Sequence, residues 1–180
     1  MNLKRDLALI CAVLLLCMGG AHAIPMPVQH ELVQPQLVGQ GSYRWFGIKL
    51  YEAYLWRESD SRTHTAPLDD HFILELVYAR QFQGKEIAAS SIEEIRNLKL
   101  GTPEQQAAWL SLMQQVFPDV NAGTQLSGVY RVGQGVRFYR DGGLLKEIND
   151  AEFARAFFSI WLDERTSAPR LRKQLLGQTS

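Results

Sequence analysis

The clearest alternation of apolar and polar positions is HFILELVY, residues 71–78. Phe72, Leu74, Leu76 and Tyr78 share one parity, with Ile73, Glu75 and Val77 on the other. A period of two predicts a strand, and a mostly apolar second face predicts a central strand covered on both sides. Three further runs at 126–132, 135–140 and 144–148 have strand character. Gly133-Gln134 and Asp141-Gly142-Gly143 separate them, both of hairpin type. Helical spacing appears at 85–98, where Ile87, Ile92, Ile95 and Leu98 fall near one side and Glu93 and Glu94 point outward. The next helix is marked more sharply. Thr102 suits the N-cap, Pro103 the first helical position, and Gln105 completes a capping box. Ala108, Trp109, Leu112, Met113 and Val116 then recur at three- and four-residue steps until Pro118.

A fourth helical pattern starts near Asn149 or Asp150, with Phe153, Phe157, Ile160 and Trp161 on one side. A short helix at about 169–176 ends at Gly177, a usual C-terminal stop. Upstream, IPMPVQ reads as a loose lead-in, 30–38 as extended with Pro35 at an edge, and 58–70 as a polar surface loop. Strands, two helices, three strands and two helices, without βαβ alternation or repeats, predict one α+β domain with a mainly antiparallel sheet.

Residues 41–56, GSYRWFGIKLYEAYLW, combine six aromatic residues, Arg44 and one internal glycine. Read as one strand, they put Arg44 and Tyr51 on opposite faces. A hairpin turning at Gly47-Ile48 instead sets Arg44 directly opposite Tyr51, since cross-strand neighbours share a face. A guanidinium beside a phenol suits an anion, a carboxylate above all. A desolvated arginine needs an acidic partner. Glu52, Glu75 or Glu86 could supply it internally, or a ligand could.

Composition changes the picture mainly at the N-terminus. Lys4 and Arg5 precede the apolar run LALICAVLLLCM, and Ala21-His22-Ala23 closes it. This predicts a signal peptide over residues 1–23, cleaved after Ala23, and export to the periplasm of a Gram-negative bacterium. Both cysteines, Cys11 and Cys17, lie inside it, so the mature chain 24–180 has no disulfide and no thiol nucleophile. The leader takes two cations and one anion from a total of 19 each, leaving 17 and 18. A net charge near −1 without a basic stripe argues against nucleic acid. No later apolar segment reaches the roughly 18 residues of a membrane span. His30, His64 and His71 have no ligand-like spacing, Ser90-Ser91 read as helix surface, and the Gly-Gln-Gly triplets at 39–41 and 133–135 lack a phosphate-binding setting. No metal or cofactor is expected.

LVGQGSYRWFGIKLYEAYLW resembles the Gly-x-Gly-x-Arg, hairpin, Lys-x-Tyr segment of bacterial chalcone isomerase-like proteins. The segment from VYRVGQGVRFYRDGG through AEFARAFFSIWL to the closing LLG resembles that family's C-terminal half. The resemblance spans roughly residues 30–177 and implies an α+β, open-faced β-sandwich whose mainly antiparallel sheet carries helices on one face. It also implies a ligand cleft between helices and sheet. By position, Arg44 matches the ligand-binding arginine of the superfamily's isomerases and fatty-acid binders. Tyr51 matches the binders' tyrosine, where isomerases carry a catalytic threonine. Ile87 and Glu94 stand where isomerases place a tyrosine and an asparagine.

The expectation is therefore an exported, non-catalytic protein binding a small apolar carboxylic acid, fatty or aromatic. Arg44 and Tyr51 would take the head group, and Trp109, Met113, Phe157 and Trp161 are the candidate cleft walls. An intramolecular lyase acting on a phenolic or enone substrate, with Arg44 stabilising the enolate, is the alternative. An envelope interaction module is the second alternative.

Overall fold

The computed structural model describes residues 24–59 and 67–178. The expected signal peptide, and His64 with most of the polar loop before Pro67, lie outside the described residues. Among the described residues the elements begin, in order, with α1 (Met26–Glu31), β1 (Pro35–Trp45), β2 (Ile48–Glu58), β3 (Phe72–Tyr78), α2 (Gly84–Asn97) and α3 (Pro103–Val116). The remainder are β4 (Gln125–Arg131), β5 (Gly135–Arg140), β6 (Gly143–Ile148), α4 (Ala151–Leu162) and α5 (Pro169–Leu175). The six strands form one antiparallel sheet in simple chain order.

Local chemistry fixes the element ends. Thr102 Oγ1 accepts from the Gln105 backbone N–H, and the Gln105 side chain accepts from the Thr102 N–H, closing the predicted box. Asp150 Oδ1 accepts from the Phe153 N–H at 2.9 Å to start α4, and its Oδ2 accepts from Trp109 Nε1 at 3.3 Å. One carboxylate thus starts α4 and ties it to α3. At the N-terminus the loose lead-in is instead the helix α1, because prolines are tolerated in a first turn that needs no N–H partner.

The core lies between the sheet and α2, α3 and α4. Leu55, Phe72 and Leu74 from the sheet meet Ile92, Phe153 and Phe158 from the helices. Helices cover this face as expected, while α1 packs on the other, burying Val28 and Leu32 against Tyr54, Trp56, Ile73 and Val129. Arg137 pairs with Glu31 of α1 at 3.1 Å, and the Tyr139 hydroxyl donates to the same carboxylate. Phe72–Tyr78 accordingly form a central strand, β3, buried from both sides.

The glycines at 39–41 serve close packing. A Cβ on Gly39 would lie 2.1 Å from the Gln174 carbonyl oxygen, and one on Gly41 would lie 2.8 Å from Leu171 Cδ1. The backbone of β1 is therefore the seat of α5. Gly39→Ala forces α5 off this seat and lowers stability by about 1–3 kcal/mol. Urea denaturation checks this as a reduced midpoint with an unchanged slope.

Candidate functional site

The β1–β2 hairpin sets the geometry. Trp45 pairs with Ile48 and Arg44 with Lys49, so the turn is Phe46-Gly47. Both turn residues have positive φ, 46° and 79°, the type I′ pattern that places Gly second. The expected turn at Gly47-Ile48 is therefore displaced by one residue. A register shift follows between Tyr43 and Arg44, and Tyr43, not Arg44, faces Tyr51. Leu50 is the extra residue of a bulge, and the bulge separates Arg44 from Tyr51, because moving the turn by one residue shifts the pairing by two and leaves the faces unchanged.

This register separates the two residues expected to act together. Tyr43 and Tyr51 stack on the helix side with centroids 5.2 Å apart. Arg44, next to Tyr43 and of opposite parity, is exposed and donates from Nη1 to the Gly47 carbonyl at 3.1 Å. The three carboxylates considered as its internal partner are engaged elsewhere or distant from it in the sheet. Glu52 accepts from Lys49 Nζ at 2.7 Å and from the Tyr54 hydroxyl at 3.0 Å. Glu86 accepts from the Gln83 N–H to cap α2, and Glu75 is fully buried in mid-strand β3.

Between the sheet and α2 and α4 lies a cavity of roughly 700 Å³. Tyr43, Tyr51, Leu76 and Tyr78 line it from the sheet, Ile87 and Glu94 from α2, and Phe157 and Trp161 from α4. Phe157 and Trp161 thus stand in the wall as expected. Trp109 and Met113 are core residues outside the lining: Trp109 packs on Phe153 and donates to Asp150, and Met113 is buried beside them. Their stripe on α3 faces the helical layer, which periodicity alone cannot distinguish from a cavity.

The polar groups in this wall are few. Trp161 Nε1 donates to the Tyr51 hydroxyl oxygen at 3.0 Å, leaving the phenol proton to be given to the cavity. Desolvation pushes the Tyr51 phenol far above its usual range, outweighing the opposite effect of the Trp161 donor. The negative charge of Glu94 raises it further, and Tyr43 is raised by desolvation and then by the same charge. Burial does the same to Tyr78. All three phenols are therefore neutral donors at physiological pH. The charged side chains among the described lining residues are Glu86, Glu93 and Glu94, all from α2. Among the described residues no cluster of His, Cys, Asp and Glu could hold a metal ion.

Tyr43 and Tyr78 were not singled out in the sequence as site residues. The parity of β3 would have found Tyr78, which shares the face of Leu74 and Leu76. Tyr43 depended on the hairpin register.

Residues 21–177 match the family described as chalcone isomerase-like. The chain belongs to the chalcone isomerase-like family. An uncharacterized protein of Haemophilus influenzae is 32% identical over 145 residues, which cover 80% of this chain and 69% of that protein. The crystal structure of a fatty-acid binding protein of Arabidopsis thaliana is similar in fold, with a TM-score of 0.60 at 12% identity, covering 81% of this chain and 88% of that one. In this chalcone isomerase-like chain, the cavity occupies the space between helices and sheet that the resemblance implied for a ligand.

Two outcomes test the Tyr51–Trp161 pair. Trp161→Phe removes the donor and costs about 1–2 kcal/mol of stability, part of which returns in the double variant with Tyr51→Phe because both polar groups are then gone. The folded-state phenol of Tyr51 titrates above the unfolded value, so its contribution is full below about pH 10 and is lost as pH rises beyond it. Tyr51→Phe therefore flattens the fall in stability measured by denaturation between about pH 9 and 11.

Proposed function

We propose that this protein binds, without transforming, one small apolar molecule with a single polar end, held in the cavity between α2, α4 and the sheet. The observation that carries this reading is the aromatic and aliphatic wall of a roughly 700 Å³ space with one converging polar pair, Tyr51 and Trp161. Ligand pockets are generally about 300–1,000 Å³, mostly apolar, with a few placed polar groups. The structural similarity to a fatty-acid binding protein supports the same class. Tyr51, Ile87 and Glu94 support binding over ring closure, since they stand in the lining where the resemblance implies a threonine, a tyrosine and an asparagine for the isomerases. The protein is proposed to act in the periplasm, in keeping with the signal peptide expected over residues 1–23.

Fatty acids and aromatic acids are the first candidate ligands. The polar end of such an acid meets the Tyr51 phenol as donor, with Glu94 nearby. Repulsion from Glu94 opposes an ionised carboxylate, so the acid is held in its neutral form. Its affinity then falls as pH rises above the ordinary carboxylate range, whereas a fatty alcohol of equal length binds independently of pH.

Native mass spectrometry of the protein purified after expression of the full chain is expected to show a bound small molecule. Displacement of a fluorescent apolar probe by palmitic acid and by palmityl alcohol then gives the two pH profiles. Ile87→Trp fills the cavity and weakens both ligands by about tenfold or more. An empty protein that neither ligand competes for refutes the reading. An Arg44→Ala variant that weakens the acid alone would move the head group to the hairpin tip. Chalcone cyclisation is expected to stay at the uncatalysed rate.

A further inference from the structure

The geometry points to one end of the sheet as a docking surface for a bilayer carrying anionic head groups. In an antiparallel meander the β1–β2 turn and the β5–β6 turn lie at the same end. Among the described residues, most of the exposed large apolar side chains lie there, Ile24 and Val33 aside. Trp45, Phe46 and Ile48 form the first tip, and Leu144 and Leu145 begin β6. Met26 lies against the second tip, 3.3 Å from where a Cβ of Gly142 would be. Exposed apolar groups normally occur singly, and a gathering of them marks an interaction surface.

Phe46 gives this end its meaning. The residue is 87% exposed and sits at φ 46°, in the first central position of a type I′ turn. Asn or Gly is preferred there, and a bulky side chain at positive φ is disfavoured. Its ring is thus kept where both solvent and backbone oppose it, packed only edge-on against Trp45 at 4.7 Å. An aromatic pair at a hairpin tip suits the boundary between head groups and acyl chains.

Charge and the cavity choose the occupant. Arg44, Arg80 and Lys146 are exposed cations at this end. Of the nearby carboxylates, Asp141 pairs with Arg140, Glu86 caps α2, Asp119 accepts from the Gly84 N–H and Glu93 pairs with Arg96, while Glu94 faces the cavity. Exposed apolar side chains with cations on the same end of the sheet match an anionic membrane surface. Trp45 and Leu145 also line the cavity, so the surface that meets the bilayer is continuous with the ligand space. An apolar ligand could then pass between membrane and cavity without crossing water. This step goes beyond the binding reading, because docking does not require an occupied cavity.

Flotation with vesicles of phosphatidylcholine alone and of phosphatidylcholine with one quarter phosphatidylglycerol tests it, using protein purified after expression of the full chain. The expected result is binding to the anionic vesicles, weakened by salt. Phe46→Asn creates the preferred Asn-Gly turn, so it should keep or raise the melting temperature while lowering partitioning by about tenfold. Leu144→Ser should lower partitioning as well. Ile87→Trp, which blocks the cavity, should leave vesicle binding intact, which separates failure of docking from failure of ligand binding. Wild-type protein that ignores both vesicles, or Phe46→Asn that binds as well as wild type, overturns the inference. A dimer in sedimentation that Phe46→Asn splits would give the surface to a second copy and overturn it too.

Discussion

The fold depends on how closely α4 can approach the sheet. Phe158 meets β4 at Gly128, where a Cβ would stand 2.8 Å from its ring. The ring also makes edge contacts with Phe72 at 5.0 Å and Tyr130 at 5.3 Å. This contact fixes the height of the helical layer at one place. Beside it, Phe157 and Trp161 border the cavity instead of filling it. A cavity next to a close-packed contact persists because the packed part holds the helix up. Interiors at crystal-like density transmit such constraints with little give.

The second consequence concerns polarity. Trp161 stands on the last turn of α4, and its indole N–H ends against Tyr51 of β2. The polar end of the cavity is therefore a contact between the two layers. Its position depends on both the height of α4 and the register of the β1–β2 hairpin. That coupling makes the one-residue bulge at Leu50 decisive for which side chains a ligand would meet.

Much of the architecture could be read from the chain alone. The capping box at Thr102, the N-cap at Asp150, the stop before Pro118 and the strands after residue 124 all follow from local chemistry. The cavity was legible only in part. Tyr51, Phe157 and Trp161 were anticipated and line it, whereas Arg44 falls on the other side of the hairpin. Trp109 and Met113 share an apolar stripe with wall-like spacing, yet α3 turns it into the helical layer. Spacing reports that a side chain is buried, and a neighbouring element decides against what.

What the sequence determined by itself was whatever depends on a few adjacent residues: caps, strand parity, turn glycines, and an order of elements that admits a meander with helices above it. Tertiary structure decided the rest. Two turns, Gly47-Ile48 and Phe46-Gly47, lie within one stretch and give the same facing, and it is the bulge at Leu50 that reverses the facing of β1 against β2 beyond it. The bulged register is held by the stacking of Tyr43 on Tyr51 and by the Trp161 bond to Tyr51. Those partners lie 110 residues apart in the chain, so no local pattern could encode their meeting.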